Sequence, residues 1–190
     1  MKQIKIVFAG GPISGKTSTL RLLQKRLAPT AVTVDFLSEA ATELLSRTGT
    51  DPHNDGFQQD VFELQTSLEE HSHASVMISD RGVADAFVYH CAERAEEICR
   101  SSLRQCLERY DAILFFEPYE NAGSVGEGNA VRYERKEELA ELNQRTRRIW
   151  QQHERFYEIP VFATVEEKTD FVAELLNRII GEPVFLENLT

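Results

Sequence analysis

Long apolar runs are missing from this sequence. Residues 6–9 (IVFA) and 112–116 (AILFF) are strand-sized, and nothing approaches the roughly 18 residues that a membrane-spanning helix needs. No transmembrane segment is expected. The opening stretch, MKQIKIVFAGGP, sets two lysines before an apolar run, but that run is short and enters glycines rather than a signal-peptide cleavage site. Cysteine is scarce: Cys91, Cys99 and Cys106 include no C-x-x-C pair and fall about two helical turns apart. They read as small buried hydrophobes on a helical face, in a reducing, cytoplasmic setting. Histidine has no metal pattern. His71 and His73 point to different sides of a helix, no H-E-x-x-H or Cys/His zinc spacing occurs, and His53 and His90 are the better candidates for lining a pocket. Positive charge is the last shortage: 21 Lys+Arg face 31 Asp+Glu, a formal charge of −10. Such a surface repels a phosphate backbone, so nucleic acid is not an expected partner and any phosphate is bound locally.

What is present suits one folded domain: 190 residues, 42% hydrophobic and 27% charged, is ordinary globular usage at single-domain length. Strand-like and helix-like patterns alternate along it. Residues 1–9 read as a first strand, followed by helical period at Leu20, Leu23 and Leu27 before Pro29. Residues 32–37 read as a second strand, with Ser38 as N-cap of a helix that stops at Gly49. A turn-rich connection over 50–56 leads to a helix with Phe57, Val61, Leu64 and Leu68 on one face. Residues 76–79 form a third strand, 83–109 one kinked helix or two, and 112–116 a fourth strand that is apolar throughout, as a strand covered on both faces should be. Gly123, Gly126 and Gly128 loosen the chain before a long amphipathic helix carrying Leu139, Leu142, Ile149, Trp150 and Phe156 up to Pro160. Residues 161–163 read as the fifth strand, and a Thr164/Glu167 capping box opens a last helix with Phe171, Leu175, Leu176 and Ile179 before Gly181. The alternation predicts an α/β fold, a three-layer parallel sheet with helices on both faces.

Gly10-Gly11-Pro12-Ile13-Ser14-Gly15-Lys16-Thr17 matches G-x-x-x-x-G-K-[ST] between the first strand and the first helix, where a phosphate loop must sit. A chance match in a chain of this length is on the order of one per cent. Glycines let successive backbone N–H groups turn inward as an anion nest, and the helix N-terminus adds its dipole. Lys16 is expected to neutralise the β- and γ-phosphates of ATP, and Thr17 to ligate Mg²⁺. Ser18 continues the nucleotide-binding run.

Ligands of open parallel sheets collect at the carboxyl ends of the strands, which delivers Glu39, Asp80, Arg81 and Glu117 to the same rim. A hydroxyl acceptor needs a base or orienting carboxylate, and Mg²⁺ needs an acidic partner. Glu39 and Asp80 can divide these roles, and which of them is the base stays open. Arg132 and Arg135 follow the glycine-loosened loop, a candidate lid over about residues 118–135 in which Arg132 closes on the transferring group. Arg145, Arg147 and Arg148 read as a solvated helix face with Glu137, Glu138 and Glu141.

These stretches carry a resemblance. IVFAGGPISGKTSTL, SEAA, FQQDVFELQ, SDRGVADAFVYH, YDAILFF and VRYE resemble the AAA-domain P-loop group, close to nicotinamide riboside kinase-like and thymidylate or deoxynucleoside kinase-like proteins. The resemblance covers nearly the whole chain. It implies a five-stranded parallel sheet in the order 2-3-1-4-5 with an arginine-bearing lid. It also implies Lys16 and Thr17 on ATP and Mg²⁺, Glu39 near the acceptor hydroxyl, Asp80 near Mg²⁺ or as base, Arg81 on phosphate and Arg132 in the lid. Asp80-Arg81-Gly82 lacks the aromatic that follows Asp-Arg in thymidylate kinases, and the glutamate after the second strand lacks the proline usual in deoxynucleoside kinases.

The expected function is an ATP- and Mg²⁺-dependent kinase for a small nucleoside- or nucleotide-like hydroxyl acceptor. The acceptor would lie between Glu39, Asp80 and the 57–68 helix. By topology, the turn from Thr164 to Lys168 is where the base is recognised. A nucleotide-dependent switch is the alternative, but Glu117-Pro118-Tyr119-Glu120 after the fourth strand is not the N-K-x-D-type element of a guanine-specific one. A nucleic-acid end kinase would need a basic track that this chain lacks. A homodimer is an assembly the sequence leaves open.

Overall fold

Successive strand residues point to opposite faces, so a strand covered on both sides must be apolar at every position. The computed structural model describes residues 2–48, 56–119 and 136–186. Its elements in chain order are β1 (Ile4–Ala9), α1 (Lys16–Lys25), β2 (Val34–Leu37), α2 (Ala40–Thr48), α3 (Phe57–His71) and β3 (Val76–Asp80). A 3₁₀ turn (Val83–Asp85) follows, then α4 (Ala86–Tyr89), α5 (Ala92–Cys99), α6 (Leu103–Leu107), β4 (Ala112–Phe116), α7 (Lys136–Trp150), β5 (Phe156–Ile159) and α8 (Val165–Ile180). All five strands are parallel, in the order β2-β3-β1-β4-β5. The fold class and strand order are those expected.

Two cores flank the sheet. On one face Val7 and Ala9 of β1, Met77 of β3, and Ile113 and Phe115 of β4 pack with Phe87, Ile98 and Trp150. On the other, Ile6 and Phe8, Val76 and Ile78, and Leu114 and Phe116 pack with Leu20 and Leu23 of α1 and Val172 and Leu176 of α8. This split accounts for the unbroken AILFF of β4. In register, Phe8 of β1 lies opposite Asp80 of β3 and Leu114 of β4, so the three strands deliver their carboxyl ends to one rim.

Four expectations need correction. The fifth strand is Phe156–Ile159, not residues 161–163, because the chain leaves α7 at Trp150 instead of continuing to Pro160. His153 fixes that exit: its Nε2 donates to the Tyr110 carbonyl at 3.0 Å and its Nδ1 accepts from Arg155 N–H at 3.0 Å. Residues 156–159 then pair with the free edge of β4. The 83–109 stretch is broken into a 3₁₀ turn and three short helices, since Arg100 adopts a left-handed φ of 49° and Ser102 opens α6 with a capping box to Gln105. α2 begins at Ala40, with Glu43 N–H donating to the Glu39 carbonyl at 3.1 Å; Glu39 rather than Ser38 therefore stands at its N-terminus. Finally, Cys99 and Cys106 are buried but Cys91 is exposed, because it precedes α5 as an extended N-cap residue.

Candidate phosphate-binding site

The loop after β1 is shaped by backbone conformations that few residues accept. Gly10 has φ 133°, and a Cβ there would lie 2.5 Å from the Phe116 carbonyl oxygen, so only glycine fits. Ile13 and Gly15 also take positive φ, 56° and 87°, which turns the chain around a small hollow. Gly15 precedes α1 without a side-chain cap, and no acidic residue occupies the first turn. The helix N-terminus therefore keeps its positive character toward the loop.

Lys16 sits inside this loop. Its Nζ donates to the carbonyls of Gly10 and Gly11, both at 2.9 Å, and to Ser14 Oγ at 3.1 Å, while Ser14 Oγ donates to the Gly11 carbonyl at 2.9 Å. Burial lowers the Lys16 ammonium to about 8; Arg81 acts in the same sense, and Asp80, Glu39 and Asp85 oppose it. Such a group gains from an anion brought beside it.

Thr17 Oγ1 donates to Asp80 Oδ2 at 2.7 Å, which joins the loop to the end of β3. Asp80 is 2% exposed, and its buried Oδ1 has no hydrogen-bond partner among the described residues. A buried, unsatisfied carboxylate oxygen costs free energy unless a cation or donor meets it. No cluster of three or more His, Cys, Asp or Glu side chains able to hold a metal occurs among the described residues. A hydroxyl and one carboxylate are instead the sparse protein contribution that Mg²⁺ accepts when phosphates supply the rest, so the donor set fits the ion.

Beyond Asp80 the chain turns sharply. Arg81 takes φ 81° while its N–H donates to the Phe8 carbonyl at 3.1 Å. Its guanidinium is bracketed by two carboxylates: Nε donates to Glu39 Oε1, and Nη1 to Asp85 Oδ2 at 3.4 Å. Glu39 Oε2 also accepts from Thr42 Oγ1 at 2.7 Å, and Asp85 Oδ1 accepts from the Trp150 indole N–H at 2.7 Å. A Cβ on Gly82 would lie 2.7 Å from the Tyr110 hydroxyl and 2.9 Å from Trp150. The third position of Asp-Arg-Gly is thus walled in, which explains why no aromatic follows Asp-Arg here.

A buried polar relay braces this turn from below. Gln65 of α3 donates to Ser79 Oγ at 2.9 Å and to Glu69 Oε1 at 3.0 Å. Tyr110 Oη donates to Glu69 Oε1 at 2.7 Å and accepts from Val83 N–H at 2.8 Å, and Arg109 donates to Glu69 Oε2 at 3.0 Å. Burial first, then Glu69, pushes the Tyr110 phenol well above its usual range, so it remains a donor. The expected apolar face of α3 is accordingly mixed: Phe57 is buried, and so are Gln65 and Glu69.

Thr17 pairs with Asp80 and Arg81 with Glu39, while Lys16 is held within the loop formed by Gly10 through Gly15. Arg132 and Arg135 lie outside the described residues, as does most of the expected lid. Thr164 Oγ1 accepts from Glu167 N–H as the α8 cap, and Lys168, one turn on, reaches the loop. Lys168 Nζ donates to the Ser14 carbonyl at 2.8 Å and lies 4.3 Å from the centre of the Tyr119 ring; burial lowers its ammonium to about 8. Asn143 Oδ1 accepts from Gly11 N–H at 3.0 Å. Sequence reading missed Asn143, Asp85 and Trp150 as parts of this site, and placed Lys168 only as the end of the turn expected to recognise the base. Lys168 alone left a signal, a lysine on the buried 168-172-176 stripe of α8. Arg147, read as part of a solvated face, pairs with Glu117 and Glu158 and lies 4.9 Å from the centre of the Phe115 ring.

A family model described as "AAA domain" matches residues 5–168. No curated protein matches the sequence. Similar solved structures include a thymidylate kinase from Candida albicans, with a TM-score of 0.64 and 14% identity over 94% of this chain and 94% of that one. A shikimate kinase from Acinetobacter baumannii in complex with shikimate has a TM-score of 0.58 and 13% identity, over 95% of this chain and 94% of that chain. The NadR protein in complex with NR has a TM-score of 0.66 and 18% identity over 99% of this chain, which spans 54% of that protein. At these identities the likeness is one of fold.

Proposed function

Since this chain belongs to the AAA-domain family, we propose that it is an ATP- and Mg²⁺-dependent kinase that phosphorylates a hydroxyl of a small nucleoside- or nucleotide-like acceptor. The observation that carries the reading is the Thr17–Asp80 contact, which puts a buried carboxylate with one unsatisfied oxygen against the phosphate loop. Lys16, the loop amides and the α1 N-terminus would hold the donor's β- and γ-phosphates. Thr17 and Asp80 would hold Mg²⁺, which when bound neutralises charge on the phosphate oxygens. The acceptor oxygen bonds to the γ-phosphorus as the bond to the β–γ bridging oxygen breaks and ADP departs; the hydroxyl proton passes to Glu39 or Asp80. Arg81 would stabilise charge on the transferring group, and Arg132 on the lid would close over it.

ADP release by the purified protein with Mg-ATP, alone and with a panel of nucleosides, nucleotides and other hydroxyl compounds, tests this reading. Release stimulated by one acceptor, with phosphoryl transfer to it, is the expected result. Slow hydrolysis that no acceptor stimulates would replace the kinase with a nucleotide-dependent switch.

A further inference from the structure

The outer side of the phosphate loop holds a cation that the glycine-lysine-threonine pattern does not call for. Lys168 of α8 is fully buried, and burial alone, with no carboxylate acting on it among the described residues, lowers its ammonium to about 8. It still carries its proton at neutral pH. Its Nζ donates to the Ser14 carbonyl at 2.8 Å and lies 4.3 Å from the centre of the Tyr119 ring and 5.9 Å from that of Phe116. One carbonyl and two ring faces compensate a buried ammonium only in part. An anion in the loop would complete the compensation.

The contact falls on the corner of the loop where the backbone is most constrained. Ile13 and Gly15 take positive φ, the Ile13 carbonyl accepts from Tyr119 N–H at 3.4 Å, and the next carbonyl, that of Ser14, accepts from Lys168. A Cβ on Gly15 would lie 3.5 Å from Lys168 Nζ and 3.7 Å from Tyr119 Cε2, so both side chains line one side of the corner. In a trans peptide the C=O and N–H point opposite ways. Two successive carbonyls tied toward Tyr119 and Lys168 therefore turn the N–H groups of Ser14 and Gly15 away from them, the paired-amide arrangement of an anion nest. An ammonium on the Ser14 carbonyl also polarises that peptide and strengthens its N–H as a donor.

Resting on the phosphate-loop chemistry of the kinase reading above, we propose that Lys168 is a positioning residue of the phosphate site, which fixes and polarises the Ser14–Gly15 peptide from outside so that the Gly15 N–H is aimed at the bound polyphosphate, and that it reads no part of the base. Lys168 acts through Ser14 and touches neither nucleotide nor acceptor. Lys168→Met removes the charge and the donor but keeps an unbranched stem.

The test measures binding of ATP and of tripolyphosphate, which has no base, each with Mg²⁺, to the wild type and to Lys168→Met by titration calorimetry. Thermal melting of the unliganded proteins and the amide spectrum of isotope-labelled wild type accompany it. Lys168→Met is expected to weaken both ligands by the same factor, about tenfold, with melting unchanged, and the Gly15 amide proton of the wild type to move downfield when tripolyphosphate binds. Weakened ATP with unchanged tripolyphosphate would put Lys168 on the base and overturn the inference, as would two unchanged affinities. A loss of affinity matched by a fall in melting temperature would overturn it too, making Lys168 a structural residue only. A Gly15 resonance that tripolyphosphate does not move overturns the inference whether or not the variant folds. Binding without transfer to any acceptor would end the kinase reading and leave this inference standing; a wild type that binds neither ligand would overturn both.

Discussion

Two turns lie side by side at the carboxyl rim of the sheet and satisfy a buried cation in opposite ways. After β1, Lys16 is held by the neutral carbonyls of Gly10 and Gly11 and by a serine hydroxyl. After β3, Arg81 is held by the full charges of Glu39 and Asp85. Carbonyl dipoles leave the ammonium's net charge in place, whereas the carboxylates beside Arg81 offset much of the guanidinium's charge until a stronger anion meets it. A chain with a formal charge of −10 thus keeps one local positive turn within an acidic whole.

The largest expected effect is on the first turn. Lys16→Ala should lower turnover by about a hundredfold or more, read as ADP release, and a variant with full activity would break the comparison at its stronger end. Asp80→Asn keeps the shape of the residue that joins the two turns, and should cut kcat about a hundredfold while changing Mg-ATP affinity far less. Kinetics beside equilibrium titration check this, and equal losses in both would make Asp80 a binding residue only.

The two turns also differ in how far they could be read from sequence. The phosphate loop is contiguous, and its glycine, lysine and threonine spacing carries the chemistry directly. Asp80 and Glu39 follow from strand ends in a parallel sheet. Asp85 and Trp150 do not, because a contact between residues 65 positions apart leaves no local pattern. Trp150 has the look of an ordinary core residue, and Asp85 that of a helix-start acid. Lys168 was legible only by topology, as the end of the turn expected to recognise the base; the reach of its buried ammonium to the Ser14 carbonyl leaves no local pattern. The misplaced fifth strand has a similar cause: FYEI was absorbed into the preceding helical period, and only pairing with β4 separates it.

Smaller effects sharpen the second turn. Trp150→Phe removes the indole donor from Asp85 and should destabilise the protein by about 2 kcal/mol in a denaturant titration. Tyr110→Phe leaves Val83 N–H without its acceptor and Glu69 without one donor, at a cost of about 1–3 kcal/mol; no change in either variant would mean that the turn after β3 does not depend on its bracing. The mildest effect is on pH. Lys16 is held at about 8 by burial, and a bound polyphosphate favours its protonated form, so nucleotide binding just above pH 8 should take up a proton and weaken as pH rises further. Calorimetry in buffers of different ionisation heat measures this, and proton release would reverse the assignment.

Transfer of label from ATP marked in its terminal phosphoryl group, with Mg²⁺ and a pool of nucleoside-like acceptors, tests the central claim most directly. The account predicts a labelled acceptor product that disappears in Lys16→Ala. Label appearing only as inorganic phosphate, at a rate that no acceptor changes, would contradict it.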